Sequence, residues 1–128
     1  MNIHDCFHAI GLKVDQIAAA QDVSVAHEAQ DLPLHVPRLE MNGGPADFQP
    51  LTHDGSSRGT MIVQITIVTA WGEGTAKADD VRQAIMDGFP THSFWGNGRI
   101  IRPASSAPAY QDQAERRLPL TLAIDLIG

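Results

Sequence analysis

The chain has 128 residues, 43% of them hydrophobic, and a formal charge of −6. This size and composition suit one globular domain with its own core and exclude a disordered chain, while no apolar run approaches the roughly 20 residues that a membrane helix needs. Residues 1–90 carry five Lys/Arg against twelve Asp/Glu, and residues 91–128 four Arg against three acids, so there is no dense basic patch of the kind that tight nucleic-acid binding requires.

Ile3, Phe7, Ile10, Val14 and Ile17 recur at spacings of 4, 3, 4 and 3, which predicts an amphipathic first helix. Asn2 is placed to cap it. The segment before and through this helix lacks a basic region followed by a long apolar block, so no signal peptide is expected. Cys6 is the single cysteine; it cannot form an internal disulfide and suits a reducing compartment. Residues 23–27, VSVAH, alternate as a short strand, residues 28–37 connect, and residues 38–42, RLEMN, open another strand.

Residues 43–59, GGPADFQPLTHDGSSRG, hold four glycines and two prolines and read as one long flexible loop, of a length that is usually functional or disordered. A ragged β-hairpin is the plainer reading. Residues 61–71 form the clearest strand. Met61, Val63, Ile65, Ile67, Thr69 and Trp71 lie on one face and should pack against helices. Ile62, Gln64, Thr66, Val68 and Ala70 form a mixed opposite face that suits water or a neighbouring subunit.

Thr75 is placed to cap a second helix whose buried stripe is Ala78, Val81, Ile85 and Phe89, with Asp79 and Asp80 near its positive end. Pro90 stops it. Phe94 and Trp95 read as a lid on the core. Residues 98–103 give a short strand, 105–113 a loop or irregular edge strand, and 117–127 a closing strand with Leu118, Leu120, Leu122, Ile124 and Leu126 facing inward and Arg117, Thr121 and Asp125 outward. The expected fold is one α+β domain over 1–128: a mostly antiparallel mixed sheet of four to five strands with two main helices on one face.

Little in this pattern is catalytic. The stretch AWGEGTAK, residues 70–77, has the strand, glycine loop, lysine and helix order of a phosphate-binding loop. Its spacing is wrong: Gly72 and Gly74 sit two apart, Ala78 follows Lys77 where a hydroxyl is needed, and Glu73 would repel phosphate. The glycines are expected to turn a corner. His4 and His8 share a helix face and could hold a metal, but HExxH is absent and no third ligand suggests itself. Cys6 reads as a small apolar filler, and Ser56–Ser57 lack a nucleophile elbow. No catalytic residue, cofactor or metal site is expected.

The run RGTMIVQITIVTAWGEGTAKADDVRQAIMDGF, residues 58–89, resembles the tail-terminator (tail-completion) proteins of long-tailed bacteriophages. The resemblance rests on Arg58–Gly59, the long alternating strand, the glycine turn at 72–74 and the helix from Ala76 to Phe89; the flanking helix, hairpin loop and closing strand extend it over about residues 3–127. It implies a structural protein and not an enzyme. Such a protein forms a hexameric ring that caps the tail tube, stops its polymerisation and presents a surface to the head–tail connector. DNA passes through the ring without specific binding. The location implied is the head-proximal end of the virion tail, after assembly in the host bacterial cytoplasm and without a membrane. On this basis Phe48, Leu51, Asp54 and Arg58 are expected to meet the major tail tube protein, and Ile62 and Val68 to lie in the ring interface. A head–tail joining (neck) protein, or a small metal-dependent enzyme using His4 and His8, are the alternatives.

Overall fold

The computed structural model describes residues 3–27, 37–43, 47–50, 57–72 and 75–127, with the backbone alone at 3–5, 26–27, 47–50, 57–58 and 127. Two helices, α1 (Ile3–Gln21) and α2 (Ala76–Gly88), cover one face of a sheet. The strands are β1 (Ser24–His27), β2 (Arg38–Gly43), β3 (Asp47–Pro50), β4 (Ser57–Ala70), β5 (Phe94–Trp95), β6 (Gly98–Ile100), β7 (Ser105–Ser106), β8 (Tyr110–Asp112) and β9 (Glu115–Ile127). Their order is β1-β2-β4-β9-β6-β5, with β3 beside β4 and β7 and β8 beside β9. Among the described residues only β1–β2 is parallel.

The class is the expected one, but among the described residues nine strands replace four or five. The difference has a simple origin. β4 and β9 pair along their whole lengths, from Arg58↔Ile127 to Ala70↔Glu115. Their outer edges are then lined by short pieces in succession: β2 and β3 along β4, and β8, β7 and β6 along β9. Pieces of two to four residues are too short to show an alternation. Residues 47–50 and 57–59, expected within one long loop, are strand; residues 44–46 and 51–56 lie outside the described residues.

The core forms between α1, α2 and the helix-side face of β4 and β9. Cys6, Ile10, Val14 and Ile17 of α1 meet Ala78, Val81, Ile85 and Phe89 of the α2 stripe. Below them lie Met61, Val63, Ile65 and Ile67, and the even-numbered apolar residues of β9 from Leu118 to Leu126. Phe7 is only half-buried, and Cys6 takes the fully buried place beside it. Gly98 makes that possible: a Cβ there would lie 2.5 Å from Cys6 Sγ and 2.7 Å from Ile124 Cγ2. Trp95 is the part of the expected lid that packs, its ring 4.9 Å from that of Phe89, while Phe94 is 71% exposed.

Two details of the strand-to-helix corner differ from expectation. Trp71 falls beyond the end of β4 and is 52% exposed, so it leaves the apolar face. Thr75 occupies the cap position of α2 without making a side-chain capping bond. Gly72 turns the corner with φ +93°, which side chains disfavour. Lys77 does not face the glycine loop: its ammonium donates to the carbonyl of Gln21 at the end of α1, where a cation also suits the helix dipole.

Candidate interaction surface

Strand alternation gives the sheet a second face, away from the helices. Across β2, β4 and β9 the register sets Arg38, Val68 and Arg117 in one row and Glu40 opposite Thr66 in the next. Two residues along, Glu115 shares the face of Arg117. These charges close into a ring of hydrogen bonds. Arg38 Nε donates to Glu40 Oε2 at 2.9 Å, and its Nη1 and Nη2 donate to the two oxygens of Glu115 at 2.7 and 3.2 Å. Arg117 closes the circuit, donating through Nη1 to Glu40 at 3.0 Å and through Nη2 to Glu115 at 3.1 Å. Asp112 Oδ2 approaches Arg117 Nε at 3.2 Å from the side.

The electrostatics follow from this geometry. The hydrogen bond from Arg38 holds the Glu115 carboxyl below its ordinary range, outweighing partial desolvation. Burial alone would lower Arg38, but its bonds to Glu115 and Glu40 prevail and raise it. Arg117 is raised in the same way by Glu40 and Glu115. Arg38 is 3% exposed, so a charge that water would otherwise solvate is satisfied almost wholly within the quartet.

Away from the quartet the face changes character. Ile62 is 48% exposed and pairs with Ala123; Tyr110 on β8, 51% exposed, instead adjoins the quartet as the register partner of Arg117. Between Ile62 and the exposed Phe94 runs the Arg99–Asp125 pair, 3.8 Å apart.

The predicted interface residues separate on this framework. Ile62 is accessible, as a ring contact requires. Val68 is not: it is fully buried within the single chain, flanked in register by Arg38 and Arg117. Val68 therefore has no exposed surface in the single chain to offer a ring contact, although Ile62 and Gln64 on the same face stay exposed. Phe48 and Arg58 belong to neighbouring rungs of the β3–β4 ladder, Phe48↔Gly59 and Gln49↔Arg58; Leu51 and Asp54 lie outside the described residues. His8 is exposed on α1, whereas the side chain of His4 lies outside the described residues. Among the described residues no three His, Cys, Asp or Glu side chains converge. Cys6 is fully buried, and burial pushes its thiol up to about 11, away from nucleophilic use.

Sequence reasoning did not anticipate the quartet. Its signal is present as opposite charges two apart, Arg38/Glu40 and Glu115/Arg117. It becomes readable only once β2 and β9 are known to flank the same strand.

No protein family and no curated protein sequence matches the chain. Among solved structures it is similar to a protein that carries only a sequence identifier for a name, with TM-score 0.69 and 18% identity over 98% of this chain and 96% of that one. It is also similar to a chain from the virion of a native gene transfer agent particle, with TM-score 0.65 and 18% identity over 94% of this chain and 93% of that one. At such identity the likeness is one of fold.

Proposed function

We propose that this chain is a structural component of a phage-type virion and, within it, the tail terminator. It caps the tail tube as a six-fold ring, stops tube growth and offers its other side to the head–tail connector. The observation that carries this reading is the fold shared over 94% of the chain with a chain of a gene transfer agent virion. The strand–turn–helix from Arg58 to Phe89 supports the narrower assignment, because it is the part that resembles tail terminators in sequence.

The surfaces divide accordingly. Phe48, Leu51, Asp54 and Arg58 are assigned to the major tail tube protein. Ile62, exposed on the sheet face, is assigned to the neighbouring copy in the ring. DNA crosses the ring without specific binding, which suits the acidic balance of the chain. The protein works at the head-proximal end of the tail and as no enzyme.

Electron microscopy and native mass measurement of the protein, alone and with tail tube protein, test this directly. Six-fold rings seated on tube ends are the expected result. Monomers throughout, with tubes uncapped, would sink the proposal. Rings that bind a portal adaptor and ignore the tube would move the chain to the neck. Replacing residues 51–56 with a short glycine linker tests the tube contact: tails should overgrow although the variant folds.

A further inference from the structure

We propose that neighbouring copies of the chain meet back to face: the outward flank of α1, centred on Leu12 and Asp15, seats on the sheet face of the next copy between Phe94 and Ile62, over Arg99. This contact presupposes the ring proposed above and supplies both of its sides.

The sheet side follows from the register. Phe94, Arg99, Asp125 and Thr60 stand in one row across β5, β6, β9 and β4. Ile62 lies two residues further along β4 and on the same face. Strands about 4.8 Å apart, with a rise of about 3.4 Å per residue, set Phe94 and Ile62 about 16 Å from each other. Both are exposed. Between them Asp125 is only 3% exposed, whereas the Arg99 side chain keeps 37%. The charge that this patch turns outward is therefore a guanidinium, although the chain as a whole is acidic.

The helix layer carries the complement. His8, Leu12, Asp15, Gln16 and Ala19 are exposed along one flank of α1, a stripe about 16 Å long at a rise of about 1.5 Å per residue. Leu12 is 51% exposed, and Asp15 stands one turn from it. The chain's two lysines turn toward the seam between the helices. Lys13 Cε comes within 3.3 Å of where Gly88 would carry a Cβ, and Lys77 donates to the Gln21 carbonyl. On α2, Asp80 and Asp87 are exposed as well.

Each side thus sets an exposed apolar group beside one sign of charge, and the signs are opposite. Sheet face on sheet face, or α1 on α1, would bring like charge to like, which selects against such pairings. The two sides belong to opposite layers of the domain. Their contact is head to tail, the kind that closes into a ring when its rotation divides the circle. Leu12 enters between Phe94 and Ile62, and Asp15 meets Arg99.

Cysteines placed on the two sides test this in the full chain with tail tube protein, since the native Cys6 is fully buried. Leu12→Cys and Phe94→Cys variants are mixed in equal amounts and treated with a short bismaleimide cross-linker. Covalent dimers holding one copy of each are expected, and none from either variant alone. The double variant should give a ladder up to the full ring. Asp15→Lys should remove the rings and Asp15→Glu should keep them, both with the Tm of the native monomer, because the position is exposed. Rings seen by microscopy that lack the mixed cross-link, that link within one variant, or that survive Asp15→Lys overturn the back-to-face contact and leave the ring itself standing. Monomers throughout in the native protein overturn both.

Discussion

Arg38→Met is the sharpest probe of the outer face. Methionine fills much of the same space but removes three hydrogen bonds, one to Glu40 and two to Glu115. Arg117 is left to balance two carboxylates over Val68. Removing one partner of a fully buried pair costs about 3–5 kcal/mol. Here Glu40 and Glu115 keep 14% and 25% exposure and one cation, which places the cost at the lower end, about 3 kcal/mol. For a domain of this size that lowers Tm by roughly 10 °C. The cost also depends on pH. The folded Glu115 carboxyl titrates below its unfolded value. Its stabilisation is therefore complete above the ordinary glutamate range of about 4.3 and is lost as pH falls through the folded value. Urea unfolding of both proteins at neutral pH and near pH 3 should show a gap that narrows in acid. A neutral gap under about 1 kcal/mol, within the ordinary range for a point mutant, or a gap that stays constant with pH, would refute the quartet as a structural clamp.

Ile65→Ala and Leu122→Ala should each cost about 2–5 kcal/mol in chemical denaturation, because both are fully buried beneath the helices; a loss under about 0.5 kcal/mol would reverse the assigned faces. Gly98→Ala should cost about 1–3 kcal/mol by overpacking, and part of that should return in a Cys6→Ala background, since Cys6 Sγ is the nearest obstruction; additive losses would contradict that contact. Lys77→Ala should cost about 0.5–1.5 kcal/mol through the lost bond to Gln21, with no change in ATP or GTP binding by calorimetry; a nucleotide affinity that disappears with Lys77 would restore the phosphate-loop reading.

The parts of the fold that were legible are those where periodicity runs long enough to count. β4 alternates from Met61 and β9 from Arg117, and the α2 stripe of Ala78, Val81, Ile85 and Phe89 is buried as spaced. The first helix was legible to within one position, because Cys6 and Phe7 are adjacent on its buried arc and the choice between them depends on Gly98, which sits more than ninety residues away. Thr75 was placed correctly at the start of α2, yet its hydroxyl does not cap. The role of Lys77 was not legible, because its partner is a carbonyl 56 positions earlier that no local pattern reveals.

The outer face was the least legible for the same reason of distance. Arg38 and Glu115 are 77 positions apart, as are Glu40 and Arg117, and each alone looks like a solvated strand charge. Once β2 and β9 flank β4, the four charges satisfy one another and bury Val68. A face that has closed its own charges has few donors left to offer a partner, so the ring contact proposed for this sheet is placed at its other end, where Ile62 is exposed. A substitution such as Ile62→Asp separates that surface from the fold itself. It should leave the monomer's unfolding midpoint nearly unchanged, as surface changes usually stay within about ±0.5 kcal/mol, while abolishing the ring in microscopy and sedimentation. If rings persist in Ile62→Asp, the copies meet elsewhere on the chain. If the monomer itself unfolds, Ile62 belongs to the core and its exposure has been misjudged.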